Sequence, residues 1–234
     1  MLRKYFIIAS TALFSLSSCV DLDVENPSNI SSTDVWNDPA LIQMYVNHLY
    51  IKLPGWDHNI YNNISDEARD NFPSSSPDLI LKGEWNEASN PMDNWSFSYQ
   101  YIRVANDFLM NITSAPVEEE LKATTSAEVR FIRAMLYFDL IKRYGGVPLL
   151  TEPQDLNSDL EVPRNSLNDC FQFIIDEMNG IADDLPLNAE RGKITKGAAL
   201  SLKARTLLYL ASPLYNENND ASKWQQAADA AKAI

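Results

Sequence analysis

Apolar and polar positions along "VRFIRAMLYFDLIKRYGGVP", residues 129–148, recur with a helical period. Placed at about 100° per residue, they form two stripes, one of Val129, Ile132, Leu136 and Leu140 and the other of Phe131, Ala134, Met135, Phe138 and Ile141. The stripes lie on nearly opposite sides. A surface helix needs only one apolar face, so this pattern predicts a helix sandwiched between neighbours, with Arg130, Arg133, Asp139 and Lys142 in the seams. Its end is marked as well. Lys142 and Arg143 suit the negative end of the helix dipole, Gly145 can take a left-handed conformation at C′, and Pro148 prevents resumption.

The same periodicity predicts further helices over 39–53, 94–112, 116 or later to 144, 166–185, 195–211 and from 222 onward. No alternating strand longer than a few residues is predicted. In the second helix Trp95, Tyr99, Ile102, Asn106, Leu109 and Ile112 make a core-facing stripe, which assigns Trp95 a structural role. In the fifth, Gly197, Ala198, Ala199, Ser201 and Ala204 let a neighbour come close, and Pro213 follows its end. The last three helices begin about 28 residues apart, as helix-turn-helix repeats do. "WQQAADAAKAI" looks like the opening helix of a tetratricopeptide-type unit. The fold class expected is all-α, a tetratricopeptide-like stack of helix pairs interrupted between Leu53 and Asn94 by a long irregular loop. That stretch is rich in Asn, Ser and Asp and punctuated by Gly55, Pro73, Pro77, Gly83 and Pro91.

The N-terminus changes the picture. Arg3 and Lys4 precede a short apolar run, Tyr5 to Leu16, that ends in "LSSC". The run is shorter than the roughly 20 residues a membrane-spanning helix needs, and it reads as a secretory signal. "LSSC" resembles a lipobox, which makes Cys19 the expected lipidated first residue of the mature chain; the alternative is an ordinary signal followed by a free cysteine. The expected organisation is a signal at 1–18, an acidic tether at 19–34 and a helical repeat domain at 35–234. The chain closes on a helix without a stop signal, so a truncated repeat domain is expected. With Cys19 acylated, Cys170 has no disulfide partner, and its place beside the stripe Leu167, Phe171, Ile174 and Met178 predicts burial.

Removing Arg3 and Lys4 lowers the 19 basic residues to 17, against 32 acidic ones. So acidic a chain argues against nucleic acid as a partner. Catalysis finds little support: His48 and His58 are the only histidines, and no HExxH, GxSxG, glycine-rich phosphate loop or cysteine pair occurs. No metal site or cofactor is expected. Carboxylate pairs such as Asp66/Glu67 and Asp183/Asp184 arise by chance in so acidic a chain, although a glycosidase would use two.

Sugar binding asks for flat aromatic faces and planar polar groups. The insertion holds both, in Trp56, His58, Tyr61, Trp85 and Asn86, with Asp66, Arg69 and Asp70 in "SDEARDN". Trp85 stands between two readings, sugar platform and cap of the repeat core. For Trp56 packing is the alternative. For Asp66 and Arg69 the alternative is a local ion pair pinning the loop. Trp36, just before a helix, is read as a hydrophobic staple.

Five segments in this order resemble the SusD/RagB family of outer-membrane nutrient-binding lipoproteins: "LSSC", "WSFSYQYIRVANDFL", "AEVRFIRAMLYFDLIKRYGGVPLL", "ITKGAALSLKARTLLYLASPLYN" and "KWQQAADAAKAI". The resemblance implies a non-catalytic, lipid-anchored protein at the surface of the outer membrane. It would bind an oligosaccharide or related nutrient and deliver it to a SusC-like TonB-dependent transporter. The acidic residues after Cys19 resemble the surface-export signal of Bacteroidetes-type lipoproteins. Family members are longer, which implies a further C-terminal half that completes the sugar site and much of the transporter interface. In the family the segment before the second helix contributes a sugar-stacking aromatic, which favours Trp85. Two alternatives stay open, a helical scaffold that binds peptides at the outer membrane and a surface glycosidase.

Overall fold

A computed structural model describes residues 32–53, 60–69, 71–72, 75–155, 157 and 160–234. The signal sequence, Cys19, most of the tether, Trp56, His58 and Asp70 lie outside the described residues. Nine helices occur among the described residues: α1 Ser32–Asn37, α2 Pro39–Tyr50, α3 Ile60–Asn63, α4 Ser76–Lys82, α5 Trp95–Ile112, α6 Glu119–Tyr144, α7 Leu167–Ile181, α8 Lys196–Ala211 and α9 Ala221–Lys232. Helix α1 takes in Ser32, Thr33 and Asp34, the last residues of the expected tether.

Local chemistry explains most boundaries. Asp38 caps α2, its side chain accepting from the Ala40 amide at 2.8 Å, and Pro39 follows at the start, where a missing N–H costs nothing. Ser166 and Asp169 form a reciprocal capping box at the start of α7. Thr195 and Asp220 cap α8 and α9. Helices α6 to α9 each pack on the one before, and α6 also meets α2 and α8.

Helix α6 is the centre of this stack. Both predicted stripes are buried, except for Met135, which is half-buried against the core. The helix packs against both α5 and α7. Phe138 packs edge-on against Tyr209 of α8, with ring centroids 5.1 Å apart. Trp36 joins Tyr45 and Phe108 in a three-ring cluster, with centroids 5.3–5.7 Å apart, which ties α1 and α2 to α5. Cys170 is buried, its thiol 3.5 Å from the Val147 carbonyl oxygen.

The double glycine after α6 has two separate causes. Gly145 takes φ +70° and ψ −139°, a positive-φ conformation outside the left-handed helical region expected for it and one that only glycine tolerates well. Gly146 is needed for space, since a Cβ there would lie 2.3 Å from the backbone oxygen of Asn165. The chain leaving α6 therefore runs against the chain entering α7. Asn165 secures this crossing by donating its amide N–H to the Val147 carbonyl and accepting from the Leu149 amide through its side chain.

The insertion departs from the expected irregular loop by folding two short helices of its own. Helix α4 is bounded by a Ser75 cap at its start, with Pro77 in the first turn, and by Gly83 in the left-handed conformation (φ +70°, ψ 19°). The Glu84 amide reaches back to the Leu79 carbonyl at 2.9 Å, which satisfies an end carbonyl. Helices α3 and α4 pack on each other.

Candidate functional site

Trp85 follows the glycine stop of α4 and precedes a tight turn. Asn86 forms that turn, its side-chain oxygen accepting from the amides of Ala88 at 3.0 Å and Ser89 at 3.1 Å. The indole is 49% exposed, on backbone held from both ends. Because the Asn86 oxygen is spent on its own turn, only its amide NH2 is left to offer a ligand. Arg69 pairs with Asp78 at 3.5 Å rather than with Asp66, and Lys82 reaches the same carboxylate at 2.5 Å. Asp78 is buried, so Arg69 ties α4 to the preceding loop, which is the pinning role read from the sequence with a different partner. Asp66 is exposed in a turn where Ser65 and Asn62 supply the local hydrogen bonds. Tyr61 lies in α3, and its side chain lies outside the described residues, as does Trp56.

Beginning ten residues beyond Trp85, a groove of about 250 Å³ lies between α5 and the segment that follows α6. Trp95, Tyr99, Ile102 and Asn106 form one wall, and the extended segment after α6, including Pro148 and Leu150, forms the other. This modifies the reading of Trp95, Tyr99 and Asn106 as a core stripe. Trp95 and Tyr99 are half-buried, and all three serve the core and the groove together. The Trp95 ring meets Tyr99 at 5.0 Å and Tyr144 at 5.2 Å, and the Arg164 guanidinium lies over it at 4.9 Å. The Tyr99 hydroxyl donates to the Pro148 carbonyl at 2.7 Å.

Behind the groove lies a buried polar chain that periodicity does not reveal. Glu177 of α7 accepts from Arg130 at 2.9 Å and from Arg133 at 2.9 Å. Arg133 also donates to the Asn106 side-chain oxygen at 2.7 Å and to the Thr151 carbonyl at 3.1 Å. The Asn106 amide then donates to the carbonyls of Leu150 and Glu152. Tyr137 closes the array, donating to the Leu150 carbonyl and accepting from the Leu150 amide. Burial pushes the Glu177 carboxyl up, but the hydrogen bonds and charges of Arg130 and Arg133 outweigh it and hold the group below the usual carboxylate range. Burial likewise pushes the Tyr137 hydroxyl well above an ordinary phenol. The array therefore fixes three helices and the groove wall, with two guanidiniums sharing one carboxylate, which is a structural arrangement. In the sequence its only trace was a pair of arginines in the seams of an otherwise apolar helix.

Similarity to known proteins agrees with this architecture. Residues 22–210 match the profile of SusD-like proteins, a family described as "Starch-binding associating with outer membrane". A SusD-like protein of Bacteroides ovatus is 28% identical over 226 residues, covering 92% of this chain and 40% of its own length. The starch-binding protein SusD of Bacteroides thetaiotaomicron is 29% identical over 147 residues, 58% of this chain and 25% of that protein. The crystal structure of a SusD-like protein from Bacteroides fragilis superposes with a TM-score of 0.68 at 30% identity, over 84% of this chain and 40% of that one. The chain thus spans about two fifths of the length of its Bacteroides ovatus relative. With the stacked helices, the order of its segments and the match over most of its length in agreement, the chain belongs to the SusD-like family.

Proposed function

We propose that this chain binds a glycan without covalent chemistry and that Trp85 supplies a stacking platform for it. The observation that carries this reading is the placement of a half-exposed indole on backbone pinned by the stop of α4 and the Asn86 turn. Pre-organisation matters because a sugar then meets a surface that loses little freedom on binding. Stacking buries apolar C–H surface at about 25 cal/mol per Å², so one platform contributes roughly 1–2 kcal/mol, or about tenfold in affinity. Tyr61, Trp56, Asn86, Asp66 and Arg69 are the further contact candidates. The family's description as starch-binding supports this assignment.

The delivery step belongs to the same proposal. Cys19 carries the lipid anchor at the outer membrane, and the captured nutrient passes to a SusC-like TonB-dependent transporter. Among the described residues no helix is long and apolar enough to cross a membrane, which is compatible with anchoring through lipid.

Trp85→Ala is expected to weaken retention in glycan-containing gels about tenfold while leaving the melting temperature nearly unchanged. Loss of stability together with binding would make Trp85 part of the core. Unchanged retention would move the sugar site to Trp56 and Tyr61. For the anchor, Cys19→Ala should abolish incorporation of a fatty-acid analogue and release the protein into the soluble fraction; label persisting on the variant would overturn that assignment.

A further inference from the structure

Resting on the reading of Trp85 as a sugar platform, we propose that the saccharide bound there is neutral, without uronate carboxylates or sulfate esters. Residues 60–94 contain seven carboxylates and two cations. Both cations, Arg69 and Lys82, turn to the buried Asp78, and the segment keeps a formal excess of five negative charges, seven against two. Glu84 and Glu87, one and two residues from Trp85, are exposed. At such a separation along the chain, about 3.8 Å per residue, they lie within roughly a Debye length of the indole at physiological salt.

At the end of α6, where the Tyr144 hydroxyl accepts from the Asn94 amide, the cations have partners of their own. Lys142 and Arg143 both pair with Asp139. Arg164 donates to the carbonyls of Tyr144 and Gly146 while covering Trp95. In the groove along α5, Arg103 leans toward Asp107 at 3.9 Å. An anionic polymer approaching Trp85 would meet Glu84 and Glu87 in a segment whose carboxylates outnumber its cations seven to two. A neutral pyranose meets no such repulsion, and exposed carboxylates accept hydrogen bonds from its hydroxyls.

The test uses matched polymers against the full 234-residue chain in affinity gels. Soluble starch, laminarin and dextran form the neutral set, and polygalacturonate and dextran sulfate the anionic set. Neutral polymers should retain the chain at least about tenfold more tightly than anionic ones, the effect of about one unscreened carboxylate contact. Trp85→Ala should remove that retention. In the double variant Glu84→Lys/Glu87→Lys, retention by dextran sulfate should rise and then disappear at about 0.5 M salt. Retention by the anionic set that depends on Trp85 would overturn the proposal and leave glycan capture standing, and so would a double variant that gains no anionic binding. Silence with both sets would overturn glycan capture itself and this inference with it.

Discussion

Helix α6 and the stretch around Trp85 hold their aromatic residues in opposite ways. On α6, Phe138 and Tyr137 are buried between neighbouring helices, and the buried Arg133 is hydrogen-bonded by Asn106 of α5 and Glu177 of α7. Around Trp85 the short helices α3 and α4 pack on each other, and the indole half-faces solvent. One region spends its aromatic surface on stability. The other withholds it. A side chain already surrounded by protein gains nothing from a ligand, so binding capacity is sought where the stack leaves aromatic surface unsatisfied.

The sharpest way to break the contrast is Phe138→Ala. Loss of a buried ring that touches α8 should cost about 3–5 kcal/mol in urea unfolding. A change below about 1 kcal/mol would place the second stripe at a surface.

Next in size is Glu177→Gln, which leaves the buried Arg133 and the partly exposed Arg130 without their carboxylate. A loss of about 3 kcal/mol at neutral pH is expected. Because the Glu177 carboxyl titrates lower in the folded chain than in the unfolded one, its contribution is fully present above the unfolded value and fades as pH falls through the folded one. The gap between parent and variant should therefore stay constant from pH 7 to about 5 and narrow below about 4.5. Asp139 is also held low and contributes acid sensitivity in both proteins, so it cancels from the difference. A gap that widened in acid would rule out the charge-paired arrangement.

The smallest expected effect is that of Trp85→Ala on stability, below about 0.5 kcal/mol by calorimetry, as for substitutions away from packed features. A loss of 2 kcal/mol or more would place Trp85 with Phe138 and erase the contrast.

How much of this was legible beforehand depended on the kind of force involved. The six longer helices follow from apolar period and end signals, and their predicted limits fall within a few residues of those observed. Helix α4 was obscured because seven residues hold barely two turns, too few for a stripe, although Ser75, Pro77 and Gly83 mark both ends. The need for Gly146 was hidden, because a backbone crossing between residues 146 and 165 leaves no trace in local pattern. For the candidate site, the sequence pointed to Trp85 as an aromatic outside any stripe. It could not show that the Asn86 oxygen is consumed by its own turn, or that Arg69 turns to Asp78. The groove was missed because Trp95 and Tyr99 share a stripe with core residues, and periodicity cannot separate a core wall from a groove wall.

The polar array behind the groove also constrains the order in which the chain can mature. Arg133 is separated from Asn106 by 27 residues and from Glu177 by 44. With only earlier segments available, α5 and α2 can cover part of α6, while the surface that meets α7 stays open and Arg133 lacks its carboxylate. Its remaining apolar surface is covered, and its guanidinium paired, only when α7 packs onto it and Glu177 accepts from Arg133. A chain cut short of α7 is therefore expected to expose apolar surface on α6 and to aggregate more readily.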